Sequence, residues 1–134
     1  MLNGARWLKV HGSCNGKLGV TGFCWGGGAT NHLAVELGAD LVAGVPYYGP
    51  AAPTADVPRI RAALLVHYAA NDPRINSMRE AFENAKAQAS VRFESHVYPG
   101  TLHGFHNNST PRYDEAAAKL SWEPTLAHFR KHLA

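Results

Sequence analysis

The stretch Val20-Thr21-Gly22-Phe23-Cys24-Trp25-Gly26-Gly27-Gly28 decides how the rest of the chain is read. Lys17 to Phe23 is a strand-sized apolar run, and Gly26 to Leu37 carries Leu33, Ala34 and Leu37 at helical spacing. Between them stands a cysteine in the pattern G-x-C-x-G-G. A reactive side chain on a sharp strand-to-helix turn needs small neighbours two residues before and two after it, here Gly22 and Gly26. Such a turn puts the sulfur at a helix N-terminus, where the dipole and free N–H groups favour a thiolate. The backbone N–H of Trp25 then becomes an oxyanion donor. The same residues also suit a small buried cysteine in a glycine-rich turn. The glycines lack G-x-G-x-x-G spacing and no Lys-Ser/Thr follows, which argues against a nucleotide loop.

Working outward, short apolar runs alternate with helical stretches. Strands are expected over Leu41–Tyr47, Ala62–Tyr68 and Arg92–Tyr98, the last alternating as an edge strand does. Residues 5–10 read as the end of a helix and 53–60 as a loop or short turn. Asn76–Ala89 reads as a helix with Met78, Phe82, Ala85 and Ala89 on one face. A polar loop from Pro99 to Arg112 precedes a closing helix, Asp114–Leu133, open to a kink at Pro124. The pattern implies an α/β fold in three layers, with a mostly parallel sheet of roughly four strands. Ligands bind at the carboxyl ends of such strands. Three of the strand-exit loops there contain Cys24, Asp72 and His103.

Asp72 stands in the first loop after the most apolar strand, within Ala69-Ala70-Asn71-Asp72-Pro73. A catalytic acid fits there, and so does a helix N-cap aspartate before a proline. His103 follows the last strand, and Gly104 beside it lets the backbone bend tightly. His106 is the rival base. His11, His32, His128 and His132 lie on helices or near chain ends and read as solvated. His67 and His96 lie within strands and suit core residues with satisfied nitrogens.

The 134 residues suffice for one domain. The formal charge of +3 is spread without a basic run, so nucleic acid is not an expected partner. No stretch is long enough for a membrane span, no signal-peptide core opens the chain, and a cytoplasmic protein is expected. Two cysteines, Cys14 and Cys24, make no disulfide scaffold, and no spacing suggests a metal site or cofactor.

GFCWGGG, PYYG, HYAANDPRIN and YPGTLHGFHNNSTPRYDEAAAKLSWEPTLAHF resemble segments of the dienelactone hydrolase (carboxymethylenebutenolidase) family of α/β-hydrolases. The resemblance runs from about Trp7 to the C-terminus. It implies a Cys-His-Asp triad that hydrolyses a small ester or lactone through a thioester. By position, Cys24 is the nucleophile, His103 the base and Asp72 its orienter. It also implies that residues 1–134 are a single truncated domain, the C-terminal half of the fold. The region supplying the family's second oxyanion N–H is then missing. Two other readings accompany the hydrolase: an inactive half-domain serving binding or assembly, and one part of a longer or split enzyme. A half sheet leaves the strand Gly19–Phe23 as an open edge, and a homodimer is expected to cover it.

Overall fold

A short parallel sheet organises the molecule because each of its strands is followed by a segment that returns along the sheet's side. The computed structural model describes residues 1–134. Helix α1 (Leu2–Val10) leads into β1 (Leu18–Phe23), α2 (Trp25–Leu37), β2 (Leu41–Tyr47) and β3 (Ala63–Asn71). Then come a single turn α3 (Pro73–Asn76), α4 (Arg79–Gln88), β4 (Phe93–Leu102) and α5 (Glu115–Leu133). The four strands are parallel and run in the order β1-β2-β3-β4.

Side chains alternate along β3, and the alternation builds the three layers. Leu64, Val66 and Tyr68 pack with Leu33, Val35 and Leu37 of α2 and Phe82 of α4. Leu65 and Ala69 face the other way, joining Val45, Tyr47 and Tyr98 beneath Ala117 and Phe129 of α5. Leu2 and Ala5 of α1 pack at the margin of the first cluster.

The second layer is polar at its centre. His67 is fully buried, 2.9 Å from the Tyr98 hydroxyl through Nδ1 and 3.0 Å from Thr125 Oγ1 through Nε2. Tyr47 donates its hydroxyl to the Ser121 carbonyl at 3.0 Å, and Thr125 donates to the same oxygen at 2.9 Å. Both imidazole nitrogens are thus satisfied, as expected of a core histidine, and burial pushes the His67 pKa down to about 3. The network fastens α5 to the sheet.

Several boundaries differ from the sequence reading. β4 runs on to Leu102, so the first residues of the expected polar loop are strand, paired by Asn71↔Leu102. The helix expected over Asn76–Ala89 breaks into α3 and α4, since Asp72 caps a separate first turn. α5 continues through Pro124. Pro124 has no N–H to give the carbonyl of Leu120, a residue that is exposed. His128 is not solvated: it is half buried, with Nε2 3.1 Å from the Ala63 carbonyl oxygen.

Lys86 is the one cation enclosed by this core. Its side chain is fully buried, and its Nζ has no hydrogen-bond partner. The ammonium lies 4.0 Å from the Phe93 ring centre and 4.5 Å from that of Phe82. Burial pushes its pKa down to about 8, against the pull of Glu83 and with the repulsion of Arg79. The unfolded lysine titrates at about 10.4, so the unfolded chain holds the proton more tightly. Folding therefore carries a penalty that is complete below pH 8 and fades as pH rises toward 10.4. Lys86→Met is expected to stabilise the chain near neutral pH by about 2 kcal/mol and to flatten that rise in stability. Urea unfolding across a pH series checks both.

Candidate active site

The turn after β1 is held by backbone packed on backbone. A Cβ at Gly22 would lie 2.1 Å from the Gly26 carbonyl oxygen, so no side chain fits there. A Cβ at Gly26 meets open space, so the expected need for a small residue after the cysteine is not steric at that position. It falls instead on Gly27, where a Cβ would lie 2.5 Å from the Tyr47 carbonyl oxygen and 2.9 Å from Gly49. Helix α2 can thereby start hard against the end of β2. Cys24 is forced to φ 56, ψ −119, a conformation that costs a non-glycine residue on the order of 1–3 kcal/mol. Its N–H donates to the Tyr47 carbonyl at 3.1 Å, and its own carbonyl accepts from Gly27 and Gly28. Trp25 is the first residue of α2, so its N–H has no partner within the helix.

Strand register does the rest of the assembly. The last paired residues of β1 and β2 are Phe23 and Tyr47, so Cys24 and Tyr48 leave the sheet side by side. The last paired residues of β3 and β4 are Asn71 and Leu102, so Asp72 and His103 leave it together. His103 Nδ1 is 2.6 Å from Asp72 Oδ2. The other carboxylate oxygen, Oδ1, accepts from the Ile75 N–H at 3.3 Å and caps α3. One carboxylate oxygen of Asp72 thus caps α3 while the other meets His103. The Cys24 sulfur makes no hydrogen bond with His103, whose Nε2 remains available to a third group.

The helix terminus is not the largest influence on the Cys24 thiol. Burial pushes the Cys24 thiol above the usual thiol range. The Arg112 and Arg74 guanidinium groups pull it down, the Asp72 carboxylate pushes it up, and burial outweighs the arginines. Neither arginine is in an ion pair. Arg112 lies along Gly104, the residue after His103, with Nε, Cζ and Nη2 each 3.7 Å from where a Cβ would stand. His106 sits elsewhere, with ring centres 5.1 Å from Phe23 and 5.6 Å from Trp122, and it makes no contact with a carboxylate.

Tyr48 is the neighbour that motif reading passed over. It is buried, has φ 34, and its ring centre lies 5.1 Å from that of His103. The sequence carries only a weak signal for it, the Tyr-Tyr-Gly after a strand end. Arg74 and Arg112 carry no sequence signal at all. A cavity of about 530 Å³ lies between α2 and the Pro50–Pro53 segment. Trp25 lines it, but Cys24, Asp72 and His103 do not. No group of three or more His, Cys, Asp or Glu side chains is placed to hold a metal ion, and no helix is long and apolar enough to cross a membrane.

Residues 3–133 match the model of the dienelactone hydrolase family. The chain belongs to that family. It is 32% identical over 143 residues to a Salmonella typhi protein named as a carboxymethylenebutenolidase, covering 96% of this chain and 51% of that protein. It is 30% identical over 141 residues to a Bradyrhizobium protein named as a 2-oxo-3-(5-oxofuran-2-ylidene)propanoate lactonase, covering 96% of this chain and 56% of that one. Among solved structures, a dienelactone hydrolase from Klebsiella pneumoniae superposes with a TM-score of 0.86 at 30% identity over 96% of this chain and 57% of that one. A dienelactone hydrolase-like promiscuous phosphotriesterase from metagenomic libraries gives 0.85 at 25% identity over 97% of this chain and 59% of that one. The chain spans about half the length of the curated relatives it matches. Its four-stranded parallel sheet is part of the α/β-hydrolase fold.

The electrostatics around Cys24 predict opposite shifts in the pH profile of its alkylation. Asp72→Asn removes a negative charge that disfavours the thiolate, so the midpoint moves down. Arg112→Ala removes a positive charge that favours it, so the midpoint moves up. Iodoacetamide rates at Cys24, followed by peptide mass across a pH series, measure both.

Proposed function

We propose that the chain carries the catalytic centre of a hydrolase of small esters or lactones. Cys24 is its nucleophile, His103 its general base, Asp72 the residue that orients His103, and the Trp25 N–H an oxyanion donor. The observation that carries this reading is the 2.6 Å Asp72–His103 contact at the same end of the sheet as a strained Cys24. The names of the relatives, a carboxymethylenebutenolidase and a lactonase, support the substrate class.

In this reading His103 takes the Cys24 proton as the sulfur attacks the ester carbonyl. A base is required because burial raises the Cys24 pKa and so disfavours the thiolate that attacks. The bond to the alcohol then breaks, the alcohol leaves with the proton held by His103, and an acyl thioester remains on Cys24. Water, deprotonated by His103, hydrolyses the thioester and frees the thiol. Asp72 holds the imidazole in the tautomer that presents Nε2 to the sulfur.

Assembly follows from the two sheet edges. β4 carries Glu94, His96 and Pro99, devices that keep an edge from pairing. β1 reads Leu-Gly-Val-Thr-Gly-Phe, with no charge and no proline, and pairs on one side alone. Exposed Trp7, Val10, Trp122 and Leu126 lie on the flanking helices α1 and α5. We propose that a second copy covers this edge, giving a two-fold dimer.

Light scattering at micromolar concentration is expected to give twice the 14.5 kDa chain mass, and a folded monomer would refute the dimer. Slow hydrolysis of p-nitrophenyl acetate is expected from the chain, lost in Cys24→Ala and reduced by about 10³-fold or more in His103→Ala. Turnover unchanged in Cys24→Ala would refute the proposed nucleophile. A chain with no turnover at all would favour the binding or assembly module.

A further inference from the structure

Three tyrosines lie in the buried cluster on the α5 side of the sheet, and two of them are committed to the core. Tyr47 donates to the Ser121 carbonyl, and the Tyr98 hydroxyl lies 2.9 Å from His67 Nδ1. The third, Tyr48, makes no side-chain hydrogen bond, although it is only 1% exposed. The backbone of His106 lies at its phenol oxygen. An N–H there uses an acceptor site and leaves the hydroxyl hydrogen free. Its backbone is held at φ 34, in the left-handed region that a bulky side chain rarely enters. Strain of this kind persists where the surroundings impose it, and it gathers at functional sites. Cys24 and Tyr48, both at positive φ, directly follow the last paired residues of adjacent strands. The Tyr48 ring also packs 5.1 Å from the His103 ring, centre to centre.

We propose that Tyr48 is a catalytic residue whose hydroxyl hydrogen-bonds the oxyanion formed when Cys24 attacks an ester, a second donor beside the Trp25 N–H. The proposal rests on the hydrolase reading above. As the sulfur–carbon bond forms, the carbonyl π pair moves onto oxygen while the thiol proton passes to His103. Tyr48 donates a hydrogen bond to that oxygen and keeps its own proton. The pair returns when the carbon–alcohol bond breaks, and the alcohol leaves with the proton from His103. Burial pushes the Tyr48 phenol up, and the nearby Cys24 charge pushes in the same direction, so the hydroxyl remains a donor throughout. The chain thereby supplies from its own β2 exit a donor that acyl transfer requires.

Tyr48→Phe removes one oxygen and leaves the ring against His103 and Phe105. Two reactions of Cys24 separate a catalytic role from a structural one. Acylation by p-nitrophenyl acetate passes through an oxyanion, whereas alkylation by iodoacetamide is a displacement at saturated carbon and does not. With both rates extrapolated to full thiolate, Tyr48→Phe is expected to slow acylation by about 10²-fold and to leave alkylation unchanged. Acylation at the wild-type rate would overturn the proposal, and so would equal losses in both reactions, which mark a displaced Cys24. If p-nitrophenolate release survives Cys24→Ala, or wild-type chain that alkylates at Cys24 releases none, the hydrolase reading falls and the proposal with it. A proposal that fails alone leaves release dependent on Cys24 and insensitive to Tyr48→Phe.

Discussion

Contact of backbone with backbone at Gly22 and Gly27 is the constraint on which the rest of the site depends. The 2.1 Å between a Gly22 Cβ and the Gly26 carbonyl oxygen leaves room for hydrogen alone, so β1 turns into α2 within one residue. That residue is Cys24, and its positive φ is the cost of the turn. Gly27 in turn lets α2 begin against the Tyr47 carbonyl and Gly49, which fixes the helix over β1 and β2. A methyl group at either glycine would push α2 off the sheet and loosen the packing of Leu33, Val35 and Leu37 against Leu64 and Val66.

Once α2 is seated, parallel register decides which residues meet. Parallel strands deliver their carboxyl ends to one side, and each exit residue inherits its neighbour from the last ladder pair. Phe23↔Tyr47 delivers Cys24 next to Tyr48, and Asn71↔Leu102 delivers Asp72 next to His103. Beneath them, the bonds of His67 to Tyr98 and Thr125 hold α5 across β2, β3 and β4. That histidine stays neutral because both nitrogens are bonded and water is excluded. His103 differs in having a carboxylate partner and an accessible edge, which suits it to moving a proton.

Burial and charge compete at Cys24, and burial wins. A helix N-terminus and two unpaired guanidinium groups favour a thiolate, yet removal of the sulfur from water raises its pKa above the usual thiol range. In the proposed mechanism a thiol with a raised pKa demands proton transfer before attack, unlike a preformed thiolate.

The sequence by itself determined the alternation of strands and helices, and hence the parallel α/β sheet, because apolar periodicity and glycine spacing are local properties. It also marked Cys24, Asp72 and His103, since each sits in a short segment whose neighbours reveal a strand exit. The extension of β4 to Leu102 was hidden, because Pro99 and Gly100 read locally as a loop; Gly100 does sit at φ 74 in an irregular step, and only the Asn71↔Leu102 pair beyond it carries the strand on. The places of Tyr48, Arg74 and Arg112 around Cys24 were hidden too, since residues 24 to 88 positions apart meet there through register and loop packing alone. The pKa of Cys24 belongs to the same class: motif and helix terminus act along the chain, whereas desolvation is set by whatever the folded chain places over the sulfur.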